Sequence, residues 1–289
     1  MGQSKWRVGS YDNVGHADVQ TRLLLVDSVV KMTLLSQTET WCSITPKEEM
    51  RITSKHHEVL CTVFGLKQST PYYGIIAETG IWPYKDVITY KKLMFLHHLI
   101  HSEPGRVCRQ IVVIQQEEQM EETWYGELEE KTKEMGIDIK KEVVQKYKKS
   151  EWKKHVKEKI TKKIEEDLHK QYESKTKLRF LKGKQFQQEQ YFKVANAAQC
   201  KLIMEIRLNM LDLKMNFKGM YDDTVCTGCF AEEESTEHFL QCKKYMELTQ
   251  HNIKTTNIEE DIKSTEKLIR MAKQIETLQN VRKHRLQYS

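Results

Sequence analysis

Cys226, Cys229, His238 and Cys242 fall within 17 consecutive residues. Cys226-Thr227-Gly228-Cys229 puts two thiols on either side of a tight, glycine-containing turn, so both can point at one cation. His238 and Cys242 are four apart, and on a helix such residues lie on one face, one turn from each other. Three thiolates and an imidazole make the tetrahedral Cys₃His sphere of a structural zinc. That sphere leaves no position for water, so the spacing predicts a staple and not a catalyst. Two other readings use the same residues: a cluster of buried cysteines, or disulfides. The segment between the half-sites, Ala231-Glu232-Glu233-Glu234-Ser235, reads as a polar turn, too acidic for an apolar cysteine cluster. The remaining cysteines, Cys42, Cys61, Cys108 and Cys200, stand singly in helical stretches. That pattern points to a reducing compartment and to small core residues.

The elements that must position these four residues are helices. The chain has 289 residues, 30% of them charged, with only 4 prolines and 12 glycines, and it reads as an all-α chain with a small zinc-stapled knuckle near the C-terminus. No apolar run reaches the 18 residues of a membrane span, and the first residues lack the apolar core of a secretory signal. Apolar spacing predicts a helix over 18–35 carrying Leu23, Leu24, Val26, Val29, Val30 and Leu34. Thr45-Pro46-Lys47-Glu48 is a helix start: Thr45 caps, Pro46 takes the first turn, Glu48 reaches back. That helix should run to about Leu66, with Gly65 near its end. Further helices should open at Pro71 (closed by Gly80), Pro83 and Pro104, with Gly126 and Gly136 as punctuation. Ser150 looks like the N-cap of a helix over 151–172 whose apolar residues, Trp152, Val156, Ile160, Ile164, Leu168 and Tyr172, step by four. Another helix over 190–213 should bury Ala195, Ala198, Leu202, Ile203, Ile206 and Met210, and the tail over 258–285 should be helical.

Charge is unevenly placed. Between Lys140 and Lys184 there are 17 lysines and arginines against 7 acids, although the whole chain carries only +6. This asymmetry points to a polyanion, RNA or DNA. Candidate contacts are Lys153, Lys154, Lys157, Lys162 and Lys163, then Lys175, Lys177, Arg179, Lys182 and Lys184 with Phe180 and Phe186 interleaved, and Arg207. For the first group a plain solvated face is an equal reading, since Glu158, Glu165 and Glu166 share that helix. For the second, cations among aromatics suit phosphate contact with base stacking. Tyr221-Asp222-Asp223, His56-His57 and His97-His98 carry no spacing that makes them a metal or catalytic centre. The chain holds no phosphate-cradling glycine loop and no nucleophile elbow.

Several segments, in order, resemble the C-terminal part of a non-LTR (LINE-like) retrotransposon polyprotein. Leu23 to Val30, leading to Glu39-Thr40-Trp41, resembles the helical thumb after the polymerase palm. Gly65-Leu66 with Ser69-Thr70-Pro71-Tyr72 resembles the connector that follows. Glu78 to Pro83 and Lys92 to His97 resemble the helical region downstream. Lys177 to Leu181 and Arg207 to Met210 resemble the stretch leading to the knuckle, and Thr236 to Cys242 its second half. The likeness spans about 21–247. The palm and its magnesium-binding aspartates have no counterpart, and none of the four prolines begins the Pro-Asp step of the downstream endonuclease.

The resemblance implies a catalytically inactive fragment that holds RNA or DNA, with a separate polymerase chain as a further partner. Zinc is its only expected cofactor, no membrane is involved, and cysteine usage places it in nucleus or cytoplasm. The competing expectations are a protein–protein interaction module and a retroelement remnant without function. The segments read from the sequence are a disordered arm (1–17), thumb-like helices (18–66), a helical connector (67–135), a basic helical region (136–220), the knuckle (221–247) and a helical tail (248–289).

Overall fold

The structure is a computed structural model that describes residues 18–42, 44–249, 261–262 and 264–288. The expected arm over 1–17 and the start of the tail lie outside those residues. The chain is all-α. It runs through α1 (Val19–Leu25), α2 (Lys31–Leu34), α3 (Pro46–Phe64), α4 (Tyr72–Thr79), α5 (Tyr84–Ile100), α6 (Val107–Glu117), α7 (Trp124–Lys133) and α8 (Lys141–Val144). It continues through α9 (Lys149–Ser174), α10 (Tyr191–Val194), α11 (Ala197–Arg207), α12 (Thr236–Gln241), α13 (Lys243–Thr249) and α14 (Thr265–Tyr288). Among the described residues, extended pairing is limited to one antiparallel bridge, Val225 to Glu233. No helix of the described residues is long and apolar enough to cross a membrane.

Two compact units divide the chain. The first gathers the described residues up to Val26, Leu60–Thr79 and those from Gln171 on; the second holds Asp27–Val59 and Gly80–Lys170.

Local chemistry explains the elements that match expectation. The Thr45 N–H donates to the Glu48 carboxylate at 2.9 Å and the Glu48 N–H returns to the Thr45 hydroxyl at 3.3 Å. This capping box starts α3. The helices α3 and α4 are followed by Gly65 and Gly80, both at φ +66°, where left-handed backbone carries no Cβ penalty. Every member of the four-residue step on α9, from Trp152 to Tyr172, is buried. In the second unit the Trp152 indole N–H donates to the Leu93 carbonyl at 3.0 Å.

Other expectations need correction. The run over 18–35 is broken by a π-helical stretch, Val26–Val30. Leu23 and Val26 are buried, whereas Leu24 (64% exposed), Val29 (54%) and Leu34 (42%) face solvent. Ser150 is inside α9 and does not cap it: Glu151 accepts from the Lys148 N–H at 3.0 Å and so opens the helix earlier. The stretch over 190–213 is two helices. Asn196 and Gln199 form a capping box at 3.1 and 2.9 Å, a helix start inside an apolar run, so Ala195 is only half-buried and Ala198 exposed. The Pro104 helix begins at Val107. Gly126 is in the first turn of α7, its N–H taken by the Thr123 cap at 3.2 Å. Cys61 and Cys200 are core residues, but Cys42 and Cys108 are exposed.

Candidate metal centre

The knuckle lies in the first unit, between α11 and α13. A short β-like turn brings its first half-site into shape. The Asp223 carboxylate accepts from the Val225 N–H at 2.8 Å, the Cys226 N–H donates to the Glu232 carbonyl at 2.8 Å, and the Glu234 N–H donates to the Thr224 carbonyl at 2.7 Å. The Phe230 N–H closes the loop on the Cys226 carbonyl at 2.9 Å, with Phe230 itself at φ +57°. The second half-site comes from α12. Ser235 caps that helix by accepting the His238 N–H at 3.1 Å. His238 sits in its first turn, and Cys242 is its extended C-cap, at φ −63° and ψ 110°.

The four side chains converge. One ligand atom from each of Cys226, Cys229, His238 and Cys242 lies within 4.8 Å of the others. Cys226 Sγ and Cys242 Sγ are 3.9 Å apart, and Cys229 Sγ is 3.3 Å from His238 Nε2. His238 Nδ1 pairs with the Glu232 carboxylate at 3.1 Å, which leaves Nε2 as the atom directed to the cluster, in the manner of a metal-ligating histidine with its orienting carboxylate. The group can hold a metal ion. The Gly228 N–H donates to Cys226 Sγ at 3.3 Å. Burial pushes the Cys226 thiol up to about 12. For Cys229 burial acts in the same direction, but N–H donors from Ala231 and Glu232 outweigh it and bring the thiol down to about 7.

The turn needs glycine at 228. A Cβ there would stand 2.8 Å from the Tyr245 ring, closer than packed atoms come. Gly228→Ala should therefore displace Tyr245 or open the turn, lowering stability by about 1–3 kcal/mol. Thermal unfolding of the metal-loaded variant measures this, and an unchanged midpoint contradicts it.

The centre is tied to the last helix through Glu234, which is fully buried. The loop read as a polar turn thus contains the most enclosed carboxylate of the knuckle. Glu234 accepts from Arg282 of α14 at 2.9 and 2.7 Å, from the Thr227 hydroxyl at 3.0 Å and from the Lys214 N–H at 3.1 Å. Burial alone would push its pKa up; the Arg282 guanidinium outweighs that and keeps the carboxyl below its ordinary range. Thr227 also meets the Tyr245 hydroxyl at 2.5 Å. No local spacing announces this network, because Arg282 is 48 residues from Glu234.

The basic candidates separate by environment. Lys153, Lys154, Lys157 and Lys162 of α9 are exposed, as a solvated face or a phosphate face requires. Lys163 is half-buried between Glu134 and Asp167, each at 3.5 Å. Lys175 and Lys182 are exposed; Arg179 is paired with Glu237 and stacked on Phe180 at 4.7 Å. Lys184 is used up inside the fold by Glu189 at 3.0 Å and the Gln187 carbonyl at 3.0 Å. Arg207 is a correction. It is buried, bound to Glu78 at 2.9 Å, Glu189 at 3.1 Å and the Ile262 carbonyl at 2.8 Å, so its charge is answered inside the fold and out of reach of a phosphate. Two aromatic rings missed in the sequence join the remaining cations. Lys67 and Lys177 lie 4.0 and 5.4 Å from the centroid of Phe217, and Lys175 lies 5.7 Å from that of Tyr73.

Two residues of the discounted motifs have partners inside the fold. Asp223 of Tyr221-Asp222-Asp223 is paired with Lys214 at 2.7 Å. In the second unit His56 stacks on Tyr84 at 3.6 Å, and burial pushes it down to about 3.

The site and fold define an all-α chain with a Cys₃His cluster able to hold a metal. No protein-family model, curated protein or solved structure matches the chain.

Proposed function

We propose that the chain binds one structural zinc at Cys226, Cys229, His238 and Cys242 and holds nucleic acid without catalysis of its own, as a counterpart of the region after the polymerase palm in non-LTR retrotransposon polyproteins. Zinc is the metal that suits three thiolates and an imidazole in a closed tetrahedron. The observation that carries the nucleic-acid reading is the set of cations held over aromatic faces in the first unit: Lys67 and Lys177 about Phe217, Lys175 about Tyr73. Phosphates would meet the ammonium groups and unpaired bases would stack on the rings. Nothing resembles a helix that reads base edges, so single strands are favoured and sequence readout is slight.

The charge geometry sets the size of the effect. Neutralising six to ten phosphates would cost about 10³–10⁵ in affinity between 50 and 200 mM salt. With Arg207 and Lys184 withdrawn, and Lys67 and Arg179 paired with Asp212 and Glu237, about three contacts remain in this unit (Lys175, Lys177, Lys182), and affinity for single-stranded RNA should fall on the order of 20-fold over that range. Reversing Lys175 and Lys177 to glutamate should reduce the logarithmic salt slope by at least about 1.4. Fluorescence titration of the metal-loaded chain against single-stranded RNA and duplex DNA measures both. Absence of binding by a folded, metal-loaded chain removes this reading. It leaves a protein–protein module, favoured by the exposure of Val29, Met32 and Leu34 in the second unit.

A further inference from the structure

A cleft of about 660 Å³ opens beside α5 in the second unit. Its size is that of pockets that enclose a small ligand, about 300–1,000 Å³. Met94 and Phe95, both half-buried, line its floor, and the stacked rings of His97 and His101, centroids 4.0 Å apart and 20° from parallel, line a wall. His101 Nδ1 donates to the His97 carbonyl at 2.9 Å, so the ring is held flat against its neighbour and Nε2 remains for another partner.

The rim is cationic. Lys148 and Lys149 line it and are exposed, with no ion pair to either among the described residues. Its one carboxylate, Glu39, is held by Lys91 at 3.1 Å, and so does not neutralise them. A flat ring wall and an apolar floor beside a pair of unspent ammonium groups suit a ligand that is planar at one end and anionic at the other. Lysines take phosphate as point charges, and ring faces take a base of any kind.

We propose that this cleft binds a nucleoside monophosphate unit, its base against Met94, Phe95 and the histidine stack and its phosphate on Lys148 and Lys149. The inference does not rest on the patch around Phe217, which belongs to the other unit. The unit has two sources, a free nucleotide or a residue of a strand, and both present the same chemistry.

Calorimetric titration of the full, metal-loaded chain with adenosine 5′-monophosphate, adenosine and inorganic phosphate tests it. The monophosphate should bind with a dissociation constant below about 1 mM, and adenosine and phosphate at least about tenfold more weakly, because each supplies half the contacts. Lys148→Glu with Lys149→Glu, two exposed positions, should weaken the monophosphate by at least about tenfold. The titrations are run in a Lys175→Glu, Lys177→Glu chain as well, where the patch of the other unit is removed and the dependence on Lys148 and Lys149 should persist. In the Lys175→Glu, Lys177→Glu chain a 5′-phosphorylated oligoadenylate distinguishes the sources: weakened by the Lys148 and Lys149 reversals, it uses the cleft as a strand; unaffected, the cleft takes the free nucleotide. No saturable binding of the monophosphate, or binding indifferent to reversal of Lys148 and Lys149, overturns the proposal.

Discussion

Cys226→Ser should abolish metal binding and melt the chain from about residue 222 to residue 245. Structural zinc contributes roughly 10–16 kcal/mol of apparent binding free energy in small knuckles, and that energy is folding energy. Whole domains are stable by about 5–15 kcal/mol, so the knuckle cannot stand without its ion. The loss should travel further than the loop. Glu234 is positioned by the turn that the metal closes, and Arg282 of α14 has its charge answered there at 2.9 and 2.7 Å. Without the turn, Arg282 is left as a buried charge, and α14 should loosen with α12 and α13. Hydrogen exchange read by mass spectrometry should show protection lost over 222–245 and weakened over 265–282, with the α9 segment from Trp152 to Leu168 unchanged. Cys108→Ser, at an exposed thiol, should do neither. A Cys226→Ser chain that retained metal with unchanged strength would mean the ligands are misassigned.

The second large effect is expected at Arg207. Arg207→Met removes the partner of Glu78, a carboxylate with no solvent exposure that also accepts from the Tyr191 hydroxyl at 2.6 Å. Breaking a buried ion pair from one side costs about 3–5 kcal/mol, because the remaining charge has neither water nor a counterion. Glu78→Gln in the same chain should recover part of that loss. Urea unfolding of the single and double variants gives both numbers. The same measurement separates the two roles an arginine could have in a basic region. A phosphate contact would leave stability unchanged and lower the salt slope of RNA binding; the buried position calls for the reverse. An Arg207→Met chain with parental stability and a flatter salt slope would restore Arg207 to the binding set.

Which features are legible in the sequence follows from the range of the forces involved. The start of α3 is written in four adjacent residues, Thr45 to Glu48, since a capping box is a local hydrogen-bond exchange. The buried stripe of α9 is written in a four-residue step, and the metal ligands in two short spacings joined by the acidic loop 231–235. Features that depend on distant partners leave no such trace. Arg207 reads as one more basic residue until Glu78, 129 positions away, is seen beside it. Glu234 reads as part of an acidic loop until Arg282 is placed. Composition supplies the charge of a segment but not the exposure of each side chain, which is why Lys184 and Arg207 look the same as Lys175 and Lys182 in the sequence. The same limit hides Phe217 and Tyr73, whose rings matter only because Lys67, Lys175 and Lys177 fold over them. The split at Asn196 is a different case. Its capping box with Gln199 is local and readable, but the apolar periodicity on either side masks it.

The most direct test of the central claim is X-ray absorption at the metal edge of the purified full chain, with metal content read on the same sample. One zinc per chain is expected, with three sulfur neighbours at about 2.3 Å and one nitrogen at about 2.0 Å, and no further oxygen. A chain that is folded without metal, or a shell that contains water or lacks the imidazole, would contradict it.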